Sequence, residues 1–299
     1  MALTHGRMLE DGMVGTVAIG DRRVRRLGFG AMRVSGARTA EGVRDRALAV
    51  ELVRGVVARG VQFLDSANVY GYGQSEEIIA EALAPYPDDV LVSTKAGFEP
   101  GKLAPGQASL PPLGRPEHIR EECIKSLRRL GVDCLVHYQV HVPDPAVPYA
   151  ETVGAFAELQ REGKVRHIGV SNVTLEQLRI AQELVEVVSV QNRYGVGNRT
   201  SEPVLAACEE QQIAFLPHSP LDRTDGAVGE KLARIAAAHG ALPQQVAIAW
   251  LLQHSPVMLP IPGTSQLSHA QENVDAAWLQ LSRDELAELE SAAAGTVQT

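Results

Sequence analysis

Short apolar runs alternate with amphipathic stretches along most of this chain. Residues 61–64, 90–94, 134–140, 165–170, 187–190, 213–216 and 257–261 are apolar without strict in–out alternation. That pattern predicts strands covered on both faces. Residues 28–32 form a further short strand of the same kind. Between them the period lengthens to that of a helix. Residues 44–59 place Leu48, Leu52, Val53 and Val56 on one face and stop at Gly60. Ser75 is placed to cap a helix carrying Ile78, Ile79, Ala82 and Leu83. Pro116 opens and Gly131 closes a helix with Ile119, Cys123, Leu127 and Leu130 in phase. Residues 149–161 continue the series, and Thr174 with Gln177 forms a capping box for the next helix. Residues 203–211, 229–239 and 243–253 also read as helices. Two short helices, 268–277 and 282–293, end the pattern.

Eight strands, each followed by helix, predict an α/β fold, the (β/α)8 TIM barrel. A doubly wound sheet in two domains is the competitor, but no Pro/Gly/Ser linker divides the chain. The reading is therefore one domain over residues 14–299, after a loose tail at 1–13. Residues 14–19 and 23–27 flank Gly20-Asp21 and predict an N-terminal β-hairpin. The last two helices are additions to the barrel. Gly28-Phe-Gly30 resembles a dinucleotide glycine loop only superficially, because Arg33 occupies the third glycine position.

Every strand turns polar where it ends. Asp65 ends the second, with Tyr70 five residues on, and Lys95 ends the third. His141 ends the fourth, followed by Ser171-Asn172, Gln191-Asn192, His218-Ser219 and Gly263-Thr264-Ser265 on the rest. Singly, each has an ordinary structural explanation: a turn cap, a packed ring, a solvated amine. In a barrel these ends meet at one mouth, and the set points to catalysis. Residues 96–115 form a long Gly/Pro-rich loop leaving directly from Lys95, placed to cover that mouth.

Composition narrows the options. The net charge of −8 and 4% aromatic content argue against a nucleic-acid or anionic-membrane binder. The longest apolar run, 246–252, is too short to span a bilayer. Three scattered cysteines, Cys123, Cys134 and Cys208, show no metal or redox spacing and fit a reduced, cytoplasmic setting.

The order and spacing of several motifs carry a resemblance. They are Leu27-Gly-Phe-Gly-Ala-Met32, Phe63-Leu-Asp-Ser-Ala-Asn-Val-Tyr-Gly71, Ser93-Thr-Lys95, Tyr138-Gln-Val-His141, Gly169-Val-Ser-Asn172, Gln191-Asn-Arg-Tyr194, Ser219-Pro-Leu221 and Ile261-Pro-Gly-Thr264. From Arg26 to Asn273 the chain resembles the aldo-keto reductases. The resemblance implies a barrel whose hairpin plugs the N-terminal end, and extended NADP(H) binding without a Rossmann motif. It implies a catalytic tetrad of Asp65, Tyr70, Lys95 and His141. Tyr70 would protonate the substrate oxygen. A free phenol, with a pKa of ~10, is a weak acid for that task, so Lys95 is expected to lower its pKa. Asp65 would hold Lys95 charged, and His141 would orient the carbonyl.

By the same resemblance Ser171, Asn172 and Gln191 hold the nicotinamide carboxamide. His218, Ser219 and Leu221 flank the ring, with His218 where an aromatic side chain is common. Gly263, Thr264, Ser265 and His269 surround the adenosine phosphate, and Glu272 and Asn273 the adenine. Gly263 and His269 stand where Lys and Arg are common, so NADH stays open beside NADPH. The expected substrate pocket is Met32, Phe98, Leu103 and Leu110, with the 96–115 loop setting substrate choice in place of a long C-terminal tail. His137 is expected to face away from His141 and to be structural. The implied function is reduction of an aldehyde or ketone, or the reverse, on a small-molecule substrate, with a lean towards the bacterial pyridoxal-reductase-like branch. A regulatory cofactor-binding subunit with little turnover is the second reading. A lyase or isomerase using Lys95 as a Schiff-base amine is the third.

Overall fold

Two short strands, β1 (Thr16–Ile19) and β2 (Arg22–Arg25), pair antiparallel across Gly20-Asp21. Gly20 takes φ +62°, which costs a glycine nothing. Seven strands follow: β3 (Phe29–Gly30), β4 (Phe63–Asp65), β5 (Leu91–Ala96), β6 (Leu135–Val140), β7 (Val165–Ser171), β8 (Val187–Gln191) and β9 (Ala214–Phe215). All seven run parallel and lie side by side in chain order. The computed structural model describes residues 8–39, 42–101, 109–220 and 225–293.

The eighth segment closes the ring without forming a regular strand. Phe215 N–H donates to the Val257 carbonyl at 2.9 Å, and Leu259 N–H to the Phe215 carbonyl at 2.8 Å. On its other edge Gly28 N–H reaches the Pro260 carbonyl (2.9 Å) and Gly30 N–H the Pro262 carbonyl (3.2 Å). Pro260 and Pro262 have no N–H to offer, so this edge only accepts. The seam is also tight. A Cβ on Gly263 would lie 2.5 Å from the Gly30 carbonyl oxygen. The result is the expected (β/α)8 barrel.

The barrel interior has two halves. Where the strands begin, Val17, Ile19 and Val24 of the hairpin pack against Phe63, Leu91, Leu216 and Leu259. This apolar plug shuts that end. Where the strands finish, the inward positions are polar. A larger core between sheet and helices includes Leu52, Val53, Ile79, Phe156 and Trp250. Helices Pro116–Leu130 and Tyr149–Arg161 match expectation, and the Thr174/Gln177 capping box is formed.

Three local expectations fail. Ser75 does not cap its helix, Gln74–Leu83: Gly73, at φ +88°, holds the cap position. Ser75 is buried, and its hydroxyl bonds the Ala31 carbonyl instead. Leu48 lies on the solvent side of helix Arg46–Ala58, which buries Ala49 and Val50 instead. Of the expected loose tail, the described residues 8–13 include a packed segment. Leu9 is buried and its N–H reaches the Arg59 carbonyl at 2.9 Å, ahead of a short helix Asp11–Val14.

Candidate active site

Lys95 ends β5 inside the barrel and is completely buried. Its ammonium touches three acceptors: Asp65 Oδ2 at 2.7 Å, the Ser66 carbonyl at 2.7 Å and the Tyr70 hydroxyl at 3.4 Å. A buried cation needs such partners, since an unpaired one is costly. Burial presses the Lys95 pKa down, but Asp65 and Tyr70 outweigh it and the net shift is upward. Lys95 is therefore a fixed positive charge. An amine so engaged is a poor Schiff-base nucleophile.

Tyr70 opens a 3₁₀ turn, Tyr70–Gly73. The loop leading to it is pinned. Ser66 Oγ bonds Ser75 Oγ at 2.9 Å, and Asn68 donates to the buried Glu122 at 2.8 Å. Burial raises the Tyr70 pKa, Lys95 opposes that rise and Asp65 adds to it, leaving the pKa above its ordinary value. The expected lowering by Lys95 is thus only one of the opposing influences, and desolvation wins. The phenol is held protonated, the form that can give a proton away.

His141 follows β6. Burial drives its pKa well below the ordinary 6.5, with Lys95 and His218 adding to the effect, so the ring is neutral at pH 7. Its Nδ1 is buried and has no hydrogen-bond partner among the described residues. The ring stands edge-on to Tyr70 at 5.8 Å and to Phe98 at 4.6 Å between centroids. Tyr70 and His141 thus face the same space.

That space is a cavity of ≈ 810 Å³. At its deep end are Asp65, Tyr70, His141, Ser171, Asn172 and Gln191. Met32, Phe98 and Leu110, expected at the substrate, line it as well. His218, Ser219, Gly263, Thr264, His269 and Asn273 carry the lining outward. Ser265 and Glu272 are not among the lining residues. Leu103 and Leu221 lie outside the described residues. Arg33, Gln244 and Ile248 line the cavity without having been foreseen. The signal for the last two was weak, because helix Pro243–His254 is buried along most of its length.

Asn172 adopts φ +57°, a region asparagine tolerates. Its amide donates to the His141 carbonyl at 3.0 Å, and its Oδ1 meets His218 Nε2 at 3.0 Å. Gln191 donates to Asp65 Oδ1 at 2.9 Å. The base of the 96–115 loop folds as a small hairpin, with Phe98 bridged to Pro112. Gly114 N–H donates to Asp144 at 2.9 Å, which anchors the loop's far end.

His137 is a correction. It does not face away from His141. Positions 137, 139 and 141 are two apart, so all three point into the barrel. His137 is wholly buried there, with Ser93 and Ser189 on its two ring nitrogens.

Comparison with known proteins agrees with this geometry. A model of the aldo/keto reductase family matches residues 26–294. The chain belongs to the aldo/keto reductase family. An uncharacterised oxidoreductase of Schizosaccharomyces pombe is 39% identical over 279 residues, 92% of this chain and 89% of that protein. Pyridoxine 4-dehydrogenase of Escherichia coli is 38% identical over 281 residues, covering 92% and 97% of the two chains. The crystal structure of a Klebsiella pneumoniae aldo/keto reductase in complex with NADP and acetate superposes with TM-score 0.76 at 27% identity, covering 92% of this chain and 94% of that one. The chain is thus an oxidoreductase by family, and the barrel it shares with these reductases carries its polar residues at the usual mouth.

Proposed function

We propose that this protein interconverts a small aldehyde or ketone and the corresponding alcohol with NADP(H), and that Tyr70 is the proton donor. The observation carrying this is the Lys95 ammonium held between Asp65 at 2.7 Å and the Tyr70 hydroxyl at 3.4 Å. The lining supports a dinucleotide. One cavity of ≈ 810 Å³ is lined by the neutral His141 and Tyr70 and also by Thr264, His269 and Asn273. Bound there, the nicotinamide supplies or accepts the hydride.

The protein's residues do the rest. His141, neutral and lining the cavity with Tyr70, orients the carbonyl oxygen beside the phenol. As negative charge develops on that oxygen, the Tyr70 proton moves to it. The nearby Lys95 charge stabilises the phenolate left behind. Asp65 keeps Lys95 in place but faces it from the other side. The Gln191 amide nitrogen is held by Asp65, leaving its carbonyl as the group for a carboxamide N–H. Arg33 and His269 are the basic side chains on the lining outside the reacting centre and His218, and they support a phosphate-bearing cofactor. Met32, Phe98 and Leu110 give the substrate end an apolar wall. Pyridoxal-class aldehydes are the first candidates, given the relationship to pyridoxine 4-dehydrogenase. The unit that performs all this is one domain, residues 14–299.

The test is NADPH consumption, followed by absorbance, over a panel of aromatic and aliphatic carbonyls. Tyr70→Phe is expected to lower kcat by about 100-fold or more while leaving NADPH binding intact. Tight NADPH binding with no turnover of any carbonyl by the wild type would sink the catalytic reading in favour of a regulatory one.

A further inference from the structure

One buried group inside the barrel, His137, touches neither Tyr70 nor Lys95 through any hydrogen bond of its own. His137 sits one layer below the reacting residues and is completely enclosed. Hydrogen bonds connect it to them in a single line. His137 Nε2 meets Ser189 Oγ at 2.9 Å, and Nδ1 meets Ser93 Oγ at 2.8 Å. Ser93 Oγ accepts from Gln139 Nε2 at 2.8 Å, and the same nitrogen donates to Asp65 Oδ1 at 3.2 Å.

The direction of the Gln139 bonds follows from the carboxylate. Asp65 Oδ1 can only accept, so Gln139 must present its nitrogen. Both hydrogens of that nitrogen are then in use, one on Asp65 and one on Ser93. Ser93 accepts from Gln139, and we assign its own hydrogen to His137 Nδ1. His137 therefore carries its hydrogen on Nε2 and donates it to Ser189. Burial lowers the His137 pKa to about 3, so the ring is neutral, as this order requires. Two further observations show that the line is built. Gln139 Oε1 is buried with no partner among the described residues, so the amide is oriented for its nitrogen alone. Position 169 is glycine, and a Cβ there would lie 2.3 Å from Ser189 Oγ, 2.8 Å from His137 Nε2 and 2.9 Å from Gln139 Cγ.

We propose that His137, through Ser93 and Gln139, is a positioning residue that fixes the Asp65 carboxylate, and through it the aim of the Lys95 ammonium at Tyr70. Asp65 Oδ1 is held by two amides, Gln139 and Gln191, while Oδ2 holds Lys95. Losing the Gln139 arm leaves Oδ1 on Gln191 alone and widens the range over which the carboxylate turns about its Cβ–Cγ bond. Lys95 then follows Oδ2, and its distance to the phenol is no longer set. This rests on the reading of Asp65, Lys95 and Tyr70 as the reacting centre.

Two substitutions separate positioning from packing. His137→Leu fills the space but cannot accept from Ser93. His137→Asn leaves a void but places Oδ1 where Nδ1 was, and so can accept. Positioning predicts that His137→Leu lowers kcat by about tenfold, the worth of one hydrogen bond to a charged group, with carbonyl KM and NADPH Kd unchanged. His137→Asn should stay within about twofold of wild type although it is the less stable protein. A packing role predicts the reverse order. A second readout needs no turnover: the ¹H–¹⁵N signal of the Lys95 ammonium in the cofactor-free protein, assigned by its loss in Lys95→Met. It should shift in His137→Leu and keep its wild-type position in His137→Asn. Wild-type kcat in His137→Leu, or an unmoved Lys95 signal, overturns the proposal. If instead Tyr70→Phe keeps full activity, the functional reading fails, and the ammonium signal still reports whether His137 positions Asp65.

Discussion

The barrel holds an acid–base contact at each end, and the two share little beyond an aspartate. At the mouth, Asp65 and Lys95 meet at 2.7 Å with 3% and 0% of their side chains exposed. At the plugged end, Asp21 on the hairpin turn meets His167 Nε2 at 2.6 Å and also contacts Arg166, with 46% of Asp21 exposed. Water screens the second pair and cannot reach the first. Attraction at the mouth must offset desolvation of both charges, so neither partner is stable there alone. At the hairpin Asp21 and Arg166 are both about half exposed and would be solvated anyway. The same chemistry is a reacting centre in one place and a surface latch in the other.

The largest expected effect comes from breaking the buried pair. Asp65→Leu strands the Lys95 ammonium in the barrel and should cost about 3–5 kcal/mol in urea unfolding, besides abolishing turnover. Adding Lys95→Met removes the stranded charge. The double variant should recover most of the stability and none of the activity. If the double variant is as unstable as Asp65→Leu alone, the penalty comes from packing and the electrostatic contrast between the two ends collapses.

Most of the mouth was legible in the sequence because strand ends turn polar abruptly. Asp65, Lys95 and His141 each follow an apolar run, and the barrel geometry alone brings them together. The layer beneath was not read. His137 was placed on the outer side although its spacing to His141 is four, an even number that keeps one face of a strand. Here the interior is apolar only at the plugged half, around Phe63 and Leu91. The eighth strand was expected as a regular run over 257–261, but Pro260 and Pro262 remove the donors a ladder needs. Ser75 read as a cap because its own sequence neighbours allow it. Its actual partner, the Ala31 carbonyl, is 44 residues away and invisible to local pattern.

A smaller effect concerns acid. His137 titrates near 3 in the folded chain, against an ordinary 6.5, and His141 is also lowered. Below pH 6.5 the unfolded chain therefore binds protons that the folded chain refuses. Stability is fully present above that pH and falls as pH drops towards the folded value, by up to about 1.4 kcal/mol per pH unit for each histidine. Urea unfolding at neutral pH and in mild acid should show this slope, and His137→Leu should flatten it. A wild-type slope unchanged by that substitution would mean His137 does not titrate as a buried neutral ring. Such a result would remove the distinction between the dry axis of the barrel and its wet hairpin end.

The smallest effect lies at the hairpin. Hydrogen bonding from His167 outweighs desolvation and, with Arg166, holds the Asp21 pKa below its ordinary 3.8. The sign is that of a depressed acid: its contribution is present above 3.8 and lost as pH falls through the folded value. Because Asp21 is exposed, Asp21→Asn should lower Tm only slightly at low ionic strength, and not at all in molar salt, where the screening length falls to about 3 Å. The hairpin should stay seated in either case, since Val17, Ile19 and Val24 remain buried against the barrel floor. Differential scanning calorimetry of both proteins at low and high salt reads this directly. A large salt-independent loss would show that the latch, and not the apolar plug, keeps the barrel closed, making the two ends more alike than their burial implies.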